Sequence, residues 1–592
     1  MTVQTKHFAL TASVLPVLLT MYLMVRYYVI VPVWDDWELV LALEKLSSGT
    51  LTFKDLFDFH NEHRIFFPRM IMLIIAALTS WNLLYTQFAS LFVVLASIGF
   101  FAVSVRAIER DTSVTISRWI FLPLTIIVFS LTQWENWTRG WQFQVFLATV
   151  GVLGSFYFLS KKEISQFTLV AAISSACVAS FSFANGILVW PIGFLLILLR
   201  KSDPLSNRLR LLAPWTIVAF LAILVYFNGY QTPPHHPSVT TFLEQPVEFV
   251  QFVFLYVGHV VIYPHNRIVA LGVLSGIVGI LGTCLFLFCI CYLTMVRSVR
   301  WHPLLPFIGM GLYALSSAVV TGIGRVGFGI QAALASKYAS IGLYLWVANI
   351  FFLFFIHKLA DTANDTPEKT KGFVGTIVRR IAAIPAETLR KGSLGLILFI
   401  AISSIANSIV SVKKIQYYHR YFTVVIPQMI APGDTALYAR IYPDAATLDR
   451  YLAIARKNNV SIFGSRLHDA MNDVRNISSA PEPVLQDCPE SPSLSVGITD
   501  FADTDSTIMC EGTATWDGSE VNSNDLFLVL SNQNIQYRIP TKEKINRFDP
   551  NGGFFVLVLK SSLPRGEYEP SIVYDHGSTC SKFPFGKKFV VQ

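Results

Sequence analysis

The chain has 592 residues, of which 53% are hydrophobic and 14% charged, and its formal net charge is +8. This apolar content excludes an ordinary soluble globular protein, and repeated apolar runs of about 20 residues predict membrane-spanning helices. The basic residues lie in short loops between those runs, so the net charge indicates membrane orientation rather than nucleic-acid binding.

The hydropathy pattern predicts a polytopic α-helical membrane protein of about eleven spans. Two further apolar stretches, 65–80 and 247–263, are short, and we expect interfacial helices there, because the basic loops then all face the cytoplasm. The spans are expected near residues 8–32, 84–105, 118–133, 142–160, 166–183, 186–200, 211–229, 268–295, 304–322, 338–357 and 393–411.

This topology places several polar segments on the same extracytoplasmic side. They are the first outer loop (33–69), the loops 134–141 and 229–246, the segment 324–337 and the tail after Val412. Residues that are far apart in the sequence can therefore converge on one outer cavity.

The tail changes character, and we divide the chain into a transmembrane catalytic domain, 1–411, and an extracytoplasmic C-terminal domain, 412–592. Residues 445–458 have the apolar spacing of a helix. After about residue 495 the apolar runs become short and are separated by Gly, Pro and Asn, which predicts a small β-sandwich in an α+β domain. Its three cysteines, Cys488, Cys510 and Cys580, allow at most one internal disulfide, with the pairing open.

The first outer loop begins with a pair of carboxylates, Asp35 and Asp36, directly after the first apolar run. Carboxylates at a membrane interface are costly to desolvate, which favours a functional role. Transfer of a sugar to a hydroxyl needs a base for the acceptor proton and cations for a leaving phosphate. We interpret Asp35 and Asp36 as candidate bases; the alternative is a helix cap with first-turn charges, and one residue can cap while the other reacts.

The same loop ends in the cluster His60-Asn61-Glu62-His63-Arg64. Glu62, His63 and Arg64 are candidate substrate-binding residues. No metal ligand is assigned, because the spacing matches no metal signature, and a divalent cation at this cluster stays open.

The loop from Trp134 to Gln142 combines aromatic rings with hydrogen-bonding groups. Indole faces stack on sugar rings, and acidic and amide groups bind sugar hydroxyls, whereas the alternative is an aromatic belt at the membrane interface. The candidate substrate-binding residues here are Trp134, Glu135, Trp137 and Arg139.

Arg325, Lys337 and Tyr338 flank a segment rich in Gly and Ala. Isolated outer cations suit a lipid-linked phosphate, while the alternative is that they anchor helix ends at the membrane surface. The adjacent His235 and His236, in TPPHHPS, are interpreted as part of an exposed loop.

Three segments occur in a fixed order: VWDDW at 33–37, HNEHRIFFPR at 60–69, and the stretch from Gly324-Arg325 to ALASKY, which ends at Tyr338. Together with the span pattern they resemble the GT-C glycosyltransferases, and most of all bacterial members such as the phage-type O-antigen glucosyltransferases. One departure is Lys337, where the pattern leads us to expect Arg; the charge remains, but bidentate phosphate binding is lost.

The resemblance implies an inverting transferase of the bacterial inner membrane with Asp35 or Asp36 as base. It implies a polyprenyl-phosphate-linked sugar as donor and a cell-envelope glycan or glycolipid, such as O-antigen lipopolysaccharide, as acceptor. A Gly-rich nucleotide loop is absent from the sequence, which fits a lipid-linked donor. The alternatives are a transporter or flippase of lipid-linked sugars and a non-catalytic envelope scaffold.

Overall fold

The structure is a computed structural model. It describes residues 3–112, 114–201, 203–233, 236–264, 269–297, 299–360, 372–423, 429, 441–464, 488–503, 507–522, 525–532, 536–543, 554–560, 563–576, 579–586 and 588–591.

The described chain is mainly helical before residue 464. Short 3-10 turns join many of the helices, including Trp34–Glu38, Val326–Phe328 and Ile330–Leu334. The helices are α1 (Val3–Arg26), α2 (Leu39–Ser47), α3 (Phe53–Phe57), α4 (Phe66–Thr79), α5 (Leu83–Thr112), α6 (Phe121–Val128), α7 (Trp134–Thr138), α8 (Phe143–Leu159), α9 (Gln166–Ser180), α10 (Val189–Leu198), α11 (Leu205–Phe227), α12 (Thr241–Glu244), α13 (Pro246–Gly258), α14 (Val269–Cys291), α15 (Leu305–Arg325), α16 (Ser336–Leu359), α17 (Gly372–Ala382), α18 (Ala386–Thr423) and α19 (Ala445–Lys457).

Within the described residues, eight helical stretches are long and apolar enough to cross a membrane. The predicted spans near 118–133, 166–183 and 186–200 correspond to the shorter helices α6, α9 and α10, so the count of about eleven stays a prediction. The eight stretches are His7–Arg26, Leu83–Thr112, Gly140–Leu159, Leu205–Phe227, Val269–Val296, His302–Phe328, Ser336–Leu359 and Ala386–His419.

The structure also shows where the two short apolar stretches and the first predicted span begin and end. The stretches 65–80 and 247–263 correspond to the short apolar helices α4 and α13, and their interfacial position stays a prediction. The first predicted span, in contrast, ends too late: α1 stops at Arg26, and residues 27–33 are not helical. The Asp35–Asp36 pair therefore does not follow directly from a rigid helix end, and other contacts must hold it.

The chain divides into two units. The first consists of Met1–Met24, Leu51–Ile75 and Leu84–Gln416, and the second of Val25–Thr50, Ala76–Leu83 and Tyr417–Gln592. The predicted domains 1–411 and 412–592 stay a prediction, and the units differ from them by grouping 25–50 and 76–83 with the tail.

The first unit is built around α16. Its side chains are almost all buried, and it packs against α13, α14 and α15. A helix that is apolar all round belongs in the interior of a bundle, and the rings of Phe307 and Phe351, stacked at 3.6 Å, show this close packing. Because α16 begins at Ser336, the neighbouring Lys337 and Tyr338 sit at the end of the most enclosed helix of this unit.

The β-rich part of the second unit is a sandwich of two antiparallel sheets, which confirms the predicted β-rich tail. One sheet has the order β3-β4-β9-β8 with β5 on β4, and the other has the order β11-β10-β6-β7 with β12 on β10. The strands are β3 (Leu494–Asp503), β4 (Thr507–Trp516), β5 (Ser519–Glu520), β6 (Leu526–Ser531), β7 (Gln536–Pro540), β8 (Lys542–Glu543), β9 (Phe554–Leu559), β10 (Gly566–His576), β11 (Thr579–Pro584) and β12 (Phe589–Val591), and the two strands of the first unit are β1 (Phe59–His60) and β2 (His63–Arg64).

Apolar side chains from both sheets form one buried core, because alternate residues of each strand point inward. Leu526, Leu528 and Leu530 of β6 are examples of this alternation. A disulfide joins Cys488 to Cys580 across a Cα–Cα distance of 5.4 Å, and Cys510 lies buried in the core instead.

Candidate functional site

The cluster at 60–64 forms a small hairpin in the first unit. β1 and β2 pair antiparallel, with His60 opposite His63, and Asn61 takes the left-handed conformation (φ 52°) that the tight turn requires. The turn therefore presents Glu62 and His63 together at the tip of a short, fixed element.

Arg64 anchors this hairpin. Its guanidinium donates to the carbonyl oxygens of Phe57 (2.8 Å), Tyr226 (2.7 Å) and Asn228, and it lies 4.0 Å from the ring centre of Phe59. The side chain is buried. These contacts favour a structural role for Arg64 over the predicted substrate-binding role, because its donors already satisfy backbone carbonyls.

Glu62 meets Arg325 at the end of α15. The guanidinium of Arg325 donates to Oε1 of Glu62 and, at 3.1 Å, to Nε2 of His236. The same His236 nitrogen lies 3.6 Å from Oε2 of Glu62. Burial raises the pKa of Glu62, but His63 and Arg325 outweigh burial and lower it to about 2. Glu62 is thus a fixed negative charge and a weak base at neutral pH.

His63 lies near the same carboxylate oxygen that Arg325 binds. The backbone N–H of Ala184 donates to Nδ1 of His63 at 3.2 Å, so the proton of the neutral ring belongs on Nε2, which lies 3.4 Å from Oε1 of Glu62. Burial lowers the pKa of His63 to about 4, although Glu62 opposes this. His63 is therefore neutral at pH 7 and stacks on the ring of Phe183 at 4.3 Å.

The aromatic loop contributes a second ion pair. In α7, Glu135 lies 3.5 Å from Arg139 one helical turn later, and it accepts a hydrogen bond of 2.6 Å from the Ser336 hydroxyl. Asn136 donates to the carbonyl oxygen of Lys337 at 2.9 Å. Burial raises the pKa of the Glu135 carboxyl, but the charge of Arg139 and the Ser336 bond outweigh it and lower that pKa.

Lys337 lies within electrostatic range of residues from both groups. Its positive charge acts on both Glu135 and His63. We name the seven residues of this region the charge cluster. It contains three cations and two carboxylates; His63 is neutral at pH 7, and His236 accepts a hydrogen bond from Arg325. The cluster consists of Glu62, His63, Glu135, Arg139, His236, Arg325 and Lys337.

Two predicted ligand residues are packed into the protein instead. Trp137 is 1% exposed; its ring stacks on Phe129 and Phe146, and its N–H donates to the carbonyl oxygen of Ser130. Tyr338 is also buried and stacks on Tyr256 at 5.3 Å. Neither ring offers an open face to a sugar, which favours structural roles for both, whereas Trp134 is only half-buried.

An apolar cleft of about 320 Å³ lies in the first unit. Its walls come from α13, α14 and the 3-10 turn Ile330–Leu334, which is the stretch of chain between Arg325 and Lys337. Val250, Val273 and Ile277 line it and are largely exposed, as expected for a cleft that opens toward lipid.

The acidic pair lies in the second unit, on the 3-10 turn Trp34–Glu38, which we name the acidic turn. Asp36 is 3% exposed, and its Oδ2 accepts from the backbone N–H of Val33 at 3.2 Å. Asp35 is exposed. The sequence left open which carboxylate caps the turn, and the structure gives that contact to Asp36.

Some members of the site were missed from the sequence. His236 was interpreted as part of a bland exposed loop, yet its side chain is 10% exposed and contacts both Arg325 and Glu62; His235 lies outside the described residues. Ser336 was likewise not singled out. Among the described residues, no group of three or more His, Cys, Asp and Glu side chains is placed to hold a metal ion.

No family model and no curated protein matches the sequence. Among solved structures, the chain is similar to the crystal structure of ArnT from Cupriavidus metallidurans bound to undecaprenyl phosphate. The identity is 14% and the TM-score 0.39, over 76% of this chain and 88% of that chain. A likeness of this size does not identify a function, which the residues of this chain must indicate by themselves.

Proposed function

We propose that the protein is a GT-C-type glycosyltransferase that moves a sugar from a polyprenyl-phosphate donor to a glycan or glycolipid on the extracytoplasmic side of a bacterial inner membrane. The observation that carries this proposal is the charge cluster, which has one more cation than carboxylates. The apolar cleft lies in the same unit, and one of its walls is the segment between Arg325 and Lys337.

The charge balance fits the donor. A polyprenyl-phosphate sugar is a phosphodiester with one negative charge, and three cations against two carboxylates leave one positive charge to meet it. When the sugar leaves, the phosphate gains negative charge, so Arg139, Arg325 and Lys337 stabilise the products and the transition state more than the bound donor.

The apolar cleft suits the prenyl chain. Its lining is mostly aliphatic, with Gln251 and Gln331 as its polar side chains, and its exposed rim allows a lipid to enter from the side. A hydrocarbon chain held there would carry its phosphate along the Ile330–Leu334 turn, toward Arg325 at one end or Lys337 at the other.

We assign the role of general base to Asp35. Glu62 is a weak base because its pKa is lowered to about 2, and Asp36 caps the acidic turn. Asp35 takes the proton of the acceptor hydroxyl as that oxygen attacks the anomeric carbon. The carbon–oxygen bond to phosphate breaks, polyprenyl phosphate leaves with the electron pair, and the single displacement inverts the anomeric carbon.

Glycan mass analysis of cells tests this function. Deletion of the gene should remove one sugar mass from an envelope glycan, and the wild-type gene should restore it. Asp35→Asn should fail to restore it at equal membrane expression, whereas Asp36→Asn should restore it in part. An unchanged glycan in the deletion strain contradicts the function, and full restoration by Asp35→Asn contradicts the assignment of the base.

The alternative of a flippase gives a different result in the same strains. Loss of a flippase would leave the donor on the cytoplasmic face and abolish every modification that uses it. Transport of a lipid-linked sugar by the purified protein, without cleavage of the sugar–phosphate bond, would favour that alternative.

A further inference from the structure

Glu38 closes the acidic turn and is held from the tail. Its Oε1 accepts hydrogen bonds from the hydroxyl groups of Tyr442 (2.9 Å) and Tyr451 (3.1 Å), whose rings meet edge to face at 5.5 Å. Burial raises the pKa of both tyrosines, and Glu38 raises it further, so both hydroxyls keep their protons and remain donors. Two bonds to a charged acceptor fix one end of the turn.

Helix α2, which follows the acidic turn directly, is fastened to the end of α19. The hydroxyl of Ser47 donates to Oδ1 of Asn458 at 2.7 Å, and Lys457 lies 3.2 Å from Glu44. Both contacts lie at the protein surface, so they contribute less to stability than the hydrogen bonds to Glu38. They nevertheless show that α19 runs alongside both the turn and the helix behind it.

A third segment, 76–83, completes the arrangement. Trp37 of the acidic turn packs edge to face on Trp81 at 5.6 Å, and both rings are buried. The backbone N–H of Ser461, just past α19, donates to the carbonyl oxygen of Ser80 at 2.8 Å. The 76–83 segment therefore contacts both the acidic turn and the tail residues 441–464.

Unusual backbone conformations concentrate in these three segments. Seven described residues other than Gly have positive φ, and five of them are here: Trp34, Ser80, Trp81, Asn459 and Ser461. Bulky residues adopt this conformation only where the surroundings over-determine it, and such strain gathers at functional sites. The turn that carries Asp35 is thus held in place by its neighbours as well as by the local Asp36 cap.

We propose that Tyr442 and Tyr451 are positioning residues, which act through Glu38 to aim the acidic turn and hence Asp35. This inference rests on the proposed function. It adds a role for the tail that the sequence did not suggest: residues 441–464 hold the acidic turn in the position that catalysis needs. A carboxylate base displaced by about 1 Å can lose about 100-fold in rate, so loss of the support should lower turnover without touching the donor's phosphate or prenyl groups.

The test uses the full-length protein in nanodiscs and compares Tyr442→Phe, Tyr451→Phe and the double variant with Tyr568→Phe. The control removes one buried tyrosine hydroxyl, which donates to the carbonyl oxygen of Pro564 in the sandwich of the same unit. We expect the double variant to lose about 10-fold or more in kcat, with the KM for the polyprenyl-phosphate donor within about two-fold of wild type. The single variants should fall between, and Tyr568→Phe should keep wild-type kcat.

Hydrogen exchange of the same proteins gives a readout that does not depend on catalysis. In the double variant the backbone amides of residues 34–47 should exchange faster, while those of the sandwich strands stay unchanged. Wild-type exchange and wild-type kcat in the double variant would overturn the proposal, as would a rise in donor KM equal to the fall in kcat. If Asp35→Asn is fully active, the base assignment fails, but the exchange measurement still decides whether Tyr442 and Tyr451 hold the turn.

Discussion

The first unit brings a carboxylate, an arginine and a histidine together in two places, and it uses them differently. In one, Arg200 pairs with Asp203, which also contacts His302 at 3.1 Å; in the other, Arg325 pairs with Glu62 beside His236. Arg200 is 1% exposed and donates to the carbonyl oxygens of the loop 159–162, whereas Arg325 is 21% exposed and bonds to side chains.

The difference shows how the same residue types support structure in one place and binding in another. An arginine that satisfies buried backbone carbonyls cannot leave them without exposing unpaired acceptors. An arginine held only by side chains can exchange a partner for a phosphate oxygen without leaving a backbone carbonyl unpaired. Arg200 and Arg64 belong to the first kind, and Arg325 belongs to the second.

The largest contrast should come from Arg325→Ala and Arg200→Ala. Loss of Arg325 should lower kcat/KM for the donor by about 100-fold or more, because a preorganised cation at the leaving phosphate is removed. Loss of Arg200 should instead lower the free energy of unfolding by about 3–5 kcal/mol, because Asp203 and three carbonyls lose their partner. Steady-state kinetics and thermal unfolding in detergent measure the two effects, and equal kinetic losses in the two variants would remove the distinction.

A smaller effect is expected at Lys337, which gives the charge cluster a third cation against its two carboxylates. Lys337→Ala should raise the donor KM by about 10-fold through loss of one charge contact to phosphate. Lys337→Arg restores the residue that the resemblance leads us to expect and should bind the donor at least as well as wild type. Donor titration of the two variants measures this, and similar KM values for both would argue against a phosphate contact.

Glycine positions in α14 test the apolar cleft. Gly276 lines the cleft, and a Cβ there would meet no atom within 4 Å, so we expect Gly276→Leu to extend into the cleft and fill it without disturbing the fold. We expect a several-fold higher KM for a long-chain donor and little change for one with a short prenyl chain. Gly276→Ala is the matched control. A Cβ on the nearby Gly279, by contrast, would collide with the carbonyl oxygen of Phe254 and should reduce stability.

The last prediction concerns stability in acid rather than kinetics, and it arises in the charge cluster. The pKa of His63 falls from 6.5 to about 4 on folding, so the unfolded chain binds this proton more readily. Protonation of His63 therefore does not reduce the free energy of unfolding above pH 6.5, and it lowers that free energy by up to about 3 kcal/mol as the pH falls to 4. His63→Asn, which keeps an acceptor for the Ala184 N–H, should flatten unfolding curves measured across that range; an unchanged slope would mean that His63 is not buried as a neutral ring.

The sequence was sufficient for the parts of the fold that local pattern determines. Long apolar runs, the helix at 445–457 and the strand from Phe554 to Leu559 follow from periodicity. Glu135 and Arg139 have the i, i+4 spacing of an ion pair along a helix, although the segment was interpreted as a loop. Contacts such as Glu62 with Arg325, which are 263 residues apart, depend on how helices pack, and no local signal carries that information.

Other features were hidden for the same reason. Composition does not reveal that the Trp137 ring packs against Phe129 and Phe146, and its predicted role in sugar binding stays a prediction. His236 lay in a proline-rich loop, which is typical of exposed sequence, but that loop folds back onto the end of α15. The acidic pair was visible as a polar island, yet its support from Tyr442 and Tyr451 comes from more than 400 residues away.

The most direct test of the account is single-turnover cleavage of a polyprenyl-phosphate hexose by the purified full-length protein in nanodiscs, with a glycan acceptor. Polyprenyl phosphate and the sugar product should appear together in equal amounts, with the anomeric configuration inverted by NMR, and Arg325→Ala should slow both. A donor that stays intact across a panel of sugars and acceptors, or a product with retained configuration, would contradict the account.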